Sequence, residues 1–277
     1  MSGESVRTFS SIAFIGGGQM AEALIKGIVE KGIIPKDAIR CSEPLEARRN
    51  YLASTYGIAL FSDNCEAVKG VEAVLIAVKP QIIPLVLRDL SEQVTEDQVV
   101  ISIAAGITLD ILQDGLPSGT RVIRVMPNTP ALIQEGAAAL CKGQYARDED
   151  MERAMAVFGA VGIAVEVHES LMDAVTGLSG SGPAYCFMFI ESLIEAGIRE
   201  GLPRQIAQEL AIQTVIGSAL MCRKTGRHPD ELMAMVTSPG GTTIQGIYRL
   251  HKGAMPAAVM DAVHAATRRS RELGGKK

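Results

Sequence analysis

The sequence predicts an α/β chain: a parallel sheet covered by helices over residues 1–168, then an all-helical region over 169–277. Three observations carry that reading. Short runs that are apolar on both faces alternate with amphipathic stretches through the first part, as βαβ units require. A glycine-rich turn, Gly16-Gly17-Gly18-Gln19-Met20-Ala21, joins the first apolar run to the first amphipathic one. After Leu171 no strand-like run occurs, and long helical patterns led by proline take over.

Each element follows from its residues. Ile12–Ile15 is apolar throughout and forms the first strand; Met20–Lys31 follows as a helix, stopped by Gly32. Ala38–Cys41 is the second strand, and Leu45–Tyr56 is a helix that ends at Gly57. Ala73–Val78 is a strongly apolar strand closed by Pro80, which has no N–H for a ladder bond. Val99–Ile103, Arg121–Met126, Ala137–Cys141 and Ala164–Val167 complete the strands. Beyond His168 the helices are Pro183–Arg199, Pro203–Arg223, Pro229–Met235, Thr242–Leu250 and Pro256–Leu273. The stretch from Tyr185 to Ile198 is apolar nearly all round (Phe187, Met188, Phe189 and Leu193 among others). A small helical domain has little interior to hide such a helix. Two readings stay open for it, a subunit interface and a central core helix.

Composition narrows the function classes. Over 277 residues the net charge is −4 with no long basic run, which argues against nucleic acid and anionic membrane as partners. The five cysteines are odd in number, widely spread and form no C-x-x-C pair, as expected of a reducing, cytoplasmic setting. Four scattered histidines give no metal-ligand spacing, so no metal is expected. The N-terminus carries no signal-peptide pattern, and no apolar run is long enough to span a bilayer.

The glycine turn is the first chemical signal. Strand, tight turn, helix is the context in which G-x-G-x-x-A means dinucleotide binding. Gly18 lets a pyrophosphate approach the backbone, Ala21 lets the helix lie close on the strand, and the helix N-terminus offers unpaired N–H groups. After the second strand comes Ser42-Glu43-Pro44, with Arg48 and Arg49 close behind. Ser42 and the arginines suit a 2′-phosphate and favour NADP; Glu43 argues for NAD if its side chain turns inward. Lys79 follows a strand end. The small Ala104-Ala105 pair allows a flat ring to lie close, and Asn128 stands in a turn fixed by Pro127 and Pro130. Two hydroxyl-rich segments, 177–183 and 237–243, each precede a helix and read as turns offering N–H groups to a carboxylate. No lysine occurs between Lys142 and Lys224, which removes the general base expected of a β-hydroxyacid dehydrogenase. Reduction of an imine, whose nitrogen is more basic than a carbonyl oxygen, needs no such base.

Together Gly16–Ala21, Ala77–Pro80, Met126–Pro130, Ser179–Tyr185 and Thr237–Thr243 resemble the pyrroline-5-carboxylate reductase family, over about residues 11–273. Ser238-Pro239-Gly240-Gly241-Thr242-Thr243 is the most specific part of the likeness. The resemblance implies a Rossmann-like domain followed by a helical dimerisation domain, in homodimers or larger homo-oligomers. It implies NADPH as hydride donor, with NADH as an alternative, and 1-pyrroline-5-carboxylate as substrate. By matching position, Ile15, Gly16, Gly17, Gly18, Gln19, Met20, Ser42, Asn64, Ala77, Val78, Lys79, Pro80, Ile103, Ala104 and Ala105 would hold the dinucleotide. Ser238, Gly240, Gly241, Thr242 and Thr243 would hold the substrate, and Thr243 would stand by the imine nitrogen as the catalytic residue.

Overall fold

The computed structural model describes residues 8–275; residues 1–7, on which part of the leader expectation falls, and the terminal 276–277 lie outside it. The chain divides into two compact units. One runs to Ser181 and resumes at Ala265, and the other is Gly182–His264.

The first unit is built on an eight-stranded sheet. Its strands are β1 (Ile12–Ile15), β2 (Ile39–Ser42), β3 (Ala59–Phe61), β4 (Ala73–Ile76), β5 (Val99–Ser102), β6 (Arg121–Met126), β7 (Gly136–Lys142) and β8 (Gly162–Glu166). Their spatial order is β3-β2-β1-β4-β5-β6-β7-β8. The helices of this unit are α1 (Gln19–Lys31), α2 (Glu46–Tyr56), α3 (Asn64–Val68), α4 (Ile83–Ser91), α5 (Leu109–Asp114), α6 (Asp148–Gly159) and α7 (Met172–Val175). Alternation along β1 splits the core into two layers. Ile12 and Phe14 join Leu24, Ile25, Ile28 and Phe158 on one face. Ala13 and Ile15 join Val86, Leu87, Leu90 and Leu112 on the other. With both faces covered, strands read as continuous apolar runs rather than alternating ones. Phe14 sits in register with Cys41 on one side and Leu75 on the other.

The sheet departs from the parallel expectation at one pair. β6 and β7 are antiparallel, with Val125 opposite Leu140. Only a short connection carrying a 3-10 turn (Thr129–Ile133) joins them, too little chain for a crossover. β8 then returns parallel to β7 after α6. Ala73–Val78 also shortens to β4, because its neighbour β1 ends at Ile15.

The second unit holds α8 (Gly182–Arg199), α9 (Arg204–Thr225), α10 (Pro229–Met235) and α11 (Thr242–Lys252). Helix α12 (Met255–Leu273) begins here, and its residues from Ala265 onward belong to the first unit. Among the described residues the buried hydrophobics of this unit are Ile194, Ala207 and Ala211. On α8, Ile194 packs with Ile190, Leu193 and Ile198 against Ala207 and Ala211 of α9, while Phe187 and Met188 are 64% and 72% exposed within one chain.

Candidate functional site

The glycine turn lies at the carboxyl ends of the central strands, where strand order reverses between β1 and β4. Open α/β sheets bind ligands at that point. Three short bonds assemble the rim. The Gly16 N–H donates to the Ser42 carbonyl at 2.9 Å, the Ala77 N–H to the Ile15 carbonyl at 2.8 Å, and the Ile103 N–H to the Ile76 carbonyl at 3.1 Å. Ile15, Gly16, Ser42, Ala77 and Ile103 are thereby brought side by side.

The three glycines do different work. Gly16 has φ +95°, and a Cβ there would stand 2.9 Å from both the Ala77 carbonyl oxygen and Val78 Cγ1. No other residue fits that turn without strain. Gly17 is buried, and a Cβ would meet Leu52 Cδ1 at 2.8 Å. Gly18 is the opposite case, with nothing within 4 Å of a Cβ. It is the N-cap of α1 and makes no side-chain cap bond. The first-turn N–H groups of Gln19, Met20 and Ala21 therefore keep no partner within the helix, and the space beside Gly18 is open, an anion-binding arrangement. These residues fit the pyrophosphate of a dinucleotide.

The remaining nucleotide candidates differ in their freedom. Ser42 is 2% exposed, and its hydroxyl donates to Asn64 Oδ1 at 2.6 Å. Asn64 opens α3, and its Nδ2 donates to Asp89 Oδ2 at 2.9 Å. Lys79 is exposed at the head of a 3-10 turn begun by Pro80. Ala104 is buried and Ala105 exposed, after β5.

Two features that the sequence left free are engaged. The Glu43 carboxylate accepts the Gly17 N–H and the Leu45 N–H, each at 3.0 Å. Arg48 and Arg49 are not free to meet a ligand unaided. Arg48 Nε donates to the Gly17 carbonyl at 2.7 Å and Nη2 to Glu22 Oε2 at 2.5 Å. Arg49 Nη1 donates to the carbonyls of Glu43 and Pro44. Partial burial pushes the Glu22 carboxyl up, but hydrogen bonds from Arg48, Tyr51 and Tyr56 outweigh it and leave its pKa lowered. Burial pushes the Cys41 thiol beneath this corner up to about 12, so it is no thiolate nucleophile.

Asn128 is likewise a structural amide. Its Oδ1 accepts the Ala137 N–H at 2.8 Å, and its Nδ2 donates to the Ser179 carbonyl at 3.1 Å. The first hydroxyl-rich segment is no turn. Thr176–Gly180 winds as a π-helix. Thr176 and Ser179 donate their hydroxyls to the carbonyls of Met172 and Val175, one turn back, and the Ser181 N–H bonds the Thr176 carbonyl. Those groups are therefore not offered to a carboxylate.

The second hydroxyl-rich segment, in the helical unit, is a true turn. Gly241 N–H donates to the Ser238 carbonyl at 3.1 Å. Gly240 has φ +67°, which with Pro239 before it is the signature of a type II turn. A Cβ on Gly241 would lie 2.3 Å from Ser238 Oγ, so the hydroxyl presses against the backbone at the helix start. Gly241 is the N-cap of α11 and makes no side-chain cap bond, and the first turn of α11 carries no acid. The N–H groups of Thr242, Thr243 and Ile244 remain for an anion. Ser238, Gly240 and Thr242 are exposed, and Thr243 is half-buried. Among the described residues no three His, Cys, Asp or Glu side chains gather to hold a metal, and no helix is long and apolar enough to cross a membrane.

Comparison with known proteins gives consistent matches. A family model described as pyrroline-5-carboxylate reductase dimerisation matches residues 169–273. A second, described as NADP oxidoreductase, coenzyme F420-dependent, matches residues 11–106. The chain is 47% identical to a pyrroline-5-carboxylate reductase of Methanosarcina acetivorans, over 96% of this chain and 98% of that one. The solved pyrroline-5-carboxylate reductase of Coxiella burnetii superposes with TM-score 0.91 at 34% identity, covering 97% of this chain and 99% of the other. The Plasmodium falciparum pyrroline carboxylate reductase, solved with NADP bound, gives TM-score 0.85 at 34% identity, over 95% and 98%.

Proposed function

The chain belongs to the pyrroline-5-carboxylate reductase family, and from that premise we propose how its residues divide the work. The protein is an NAD(P)H-dependent reductase that converts 1-pyrroline-5-carboxylate to L-proline, and it acts as a homo-oligomer. NADPH, when bound, supplies a hydride to the imine carbon, C2 of the pyrroline ring, which becomes C5 of proline.

The chain's own residues bind, orient and supply hydrogen bonds. N–H groups of Gly18, Gln19 and Met20 take the pyrophosphate at the start of α1. The Ser42–Asn64 pair stands toward the adenosine ribose and its 2′-phosphate, with Lys79 as a nearby cation. Ala104 and Ala105 give the nicotinamide ring a small-residue surface. At the start of α11, the N–H groups of Thr242 and Thr243 with the Ser238 hydroxyl hold the substrate carboxylate, aided by the turn that Gly240 and Gly241 permit. The Thr243 hydroxyl hydrogen-bonds the ring nitrogen, which carries the proton as the imine carbon gains hydride. Orientation and exclusion of water supply most of the rate, since the imine nitrogen needs no strong acid. The helical unit pairs copies of the chain into homodimers or larger homo-oligomers. Five cysteines with no disulfide among them, two of them buried, suit a cytoplasmic enzyme.

One observation carries this reading. Each unit presents one glycine-led helix N-terminus without a side-chain cap, at α1 and at α11. The test is NADPH oxidation followed at its absorbance band with pyrroline-5-carboxylate, with a six-membered cyclic imine acid, and with neither. Oxidation confined to the five-membered imine supports the proposal. Oxidation with the six-membered ring alone means a different imine reductase. Tight NADPH binding without turnover on either means a nucleotide sensor.

A further inference from the structure

The glycine turn is gripped from one side by two charged residues that follow β2. The Gly17 N–H donates to Glu43 Oε2, and the Gly17 carbonyl accepts from Arg48 Nε. Each of these groups is anchored in turn. The other Glu43 oxygen holds the Leu45 N–H. The Arg48 guanidinium also bonds Glu22, in the first turn of α1, and lies over the Tyr51 ring at 5.1 Å. Glu22 takes the Tyr51 and Tyr56 hydroxyls at 2.8 and 2.9 Å on its second oxygen.

Peptide groups are planar, and none here is cis, so an N–H points away from the carbonyl it is joined to. With the Gly17 carbonyl tied to Arg48, the Gly18 N–H of the same peptide is turned the other way, on a residue whose surroundings are open. The Gly17 N–H is spent on Glu43 and is withdrawn from any ligand. Leu52 and Glu43 leave no room for a Cβ on Gly17.

We propose that Glu43 and Arg48 are positioning residues of the nucleotide site. They fix the two peptide planes of Gly17 so that the Gly18 N–H, not the Gly17 N–H, faces the pyrophosphate. Arg48 acts through the loop and not as a ligand of the 2′-phosphate. This rests on the reading of the turn as the nucleotide site. It has a consequence that a 2′-phosphate ligand would not share: NADPH and NADH carry the same pyrophosphate, so both must weaken together.

The experiment measures dissociation constants of NADPH and NADH by nicotinamide fluorescence, with kcat at saturating NADPH, for parent, Arg48→Met and Glu43→Gln. Arg48→Met is expected to weaken both cofactors by the same factor, about tenfold or more, with kcat within about twofold of the parent. Glu43→Gln keeps one acceptor and is expected to give a smaller loss, again equal for the two. Loss confined to NADPH would make Arg48 a 2′-phosphate ligand and overturn the proposal, and so would no loss for either cofactor. Where Arg48→Met fails to fold, Arg48→Lys keeps the charge and stem but cannot serve both acceptors, and is read the same way. Gly18→Val separates the two levels. If it leaves both affinities at the parent value, the nucleotide site itself is misplaced. If it abolishes binding while the Arg48 and Glu43 variants do not weaken it, only the clamp is wrong.

Discussion

The first unit buries Phe14, Leu24, Leu75 and Phe158 on one face of its sheet and Ile15, Val74, Leu90 and Leu112 on the other, while the second buries only the hydrophobics Ile194, Ala207 and Ala211 among its described residues. Apolar area buried is the main stabilising term of a fold, about 1.5–3 kcal/mol for each large side chain. The first unit has that term within one chain. The second leaves Phe187, Met188, Leu210, Val236 and Met260 in solvent, and exposed apolar surface of that extent marks an interface. Yet both units present the same device to a ligand, a helix N-terminus led by glycine and left uncapped. The ligand chemistry proposed for the two is thus alike, and the support beneath it differs. The α1 site stands on a closed core and the Glu43–Arg48 clamp. The proposed α11 site stands on helices with little buried core within one chain.

Four variants would break or sharpen that contrast. The largest effect is expected from Gly18→Val. A Cβ there has no atom of the chain within 4 Å, so the melting temperature should hold while NADPH affinity falls by about a hundredfold or more, read by fluorescence titration. A fall in melting temperature instead would mean that the turn serves the fold. Next is Phe187→Asp with Met188→Asp, both exposed in a single chain. Sedimentation should show the oligomer dissociating toward the 29.4 kDa chain, with the first unit still able to bind NADPH. An intact oligomer would move the interface off α8. Thr243→Ala follows, with kcat down about tenfold or more and NADPH affinity within about twofold. Unchanged kcat would remove Thr243 from the proton's path.

The smallest effect concerns acid stability. The folded-state pKa of Glu22 is depressed, so its contribution is present above the unfolded glutamate pKa of about 4.3 and is lost as the pH falls through the folded value. Glu22→Gln should therefore lower the melting temperature at neutral pH, and the gap to the parent should close as the pH drops below about 4. A gap that stays constant with pH would mean that the charge on Glu22 is not what matters.

Local signals made most of the fold legible in the sequence. The β1–turn–α1 unit is visible because three glycines and two apolar runs lie within a few residues of one another. β3 escaped because Ala59–Phe61 is three residues long and shows no alternation. The reversal of β7 escaped because a strand's composition does not record its direction. The segment 177–183 reads as a break because glycine and serine are poor helix formers, but their i−4 bonds and the Asn128 amide hold 176–180 in a π-helix. Glu43 and Arg48 lie 26 and 31 residues from Gly17 in sequence. No local pattern reveals such a pairing, so both were open to being read as cofactor ligands. At α11 the reverse holds, since Pro239, Gly240 and Gly241 specify the turn by themselves.

The central claim is that the α1 N-terminus takes the nucleotide and the α11 N-terminus takes the substrate's carboxylate. A crystal grown with NADPH and L-proline tests it most directly. The account predicts the pyrophosphate against the N–H groups of Gly18 and Gln19, and the proline carboxylate within hydrogen-bond reach of the Thr242 and Thr243 N–H groups. Proline bound elsewhere, with Ser238–Thr243 untouched, would contradict it.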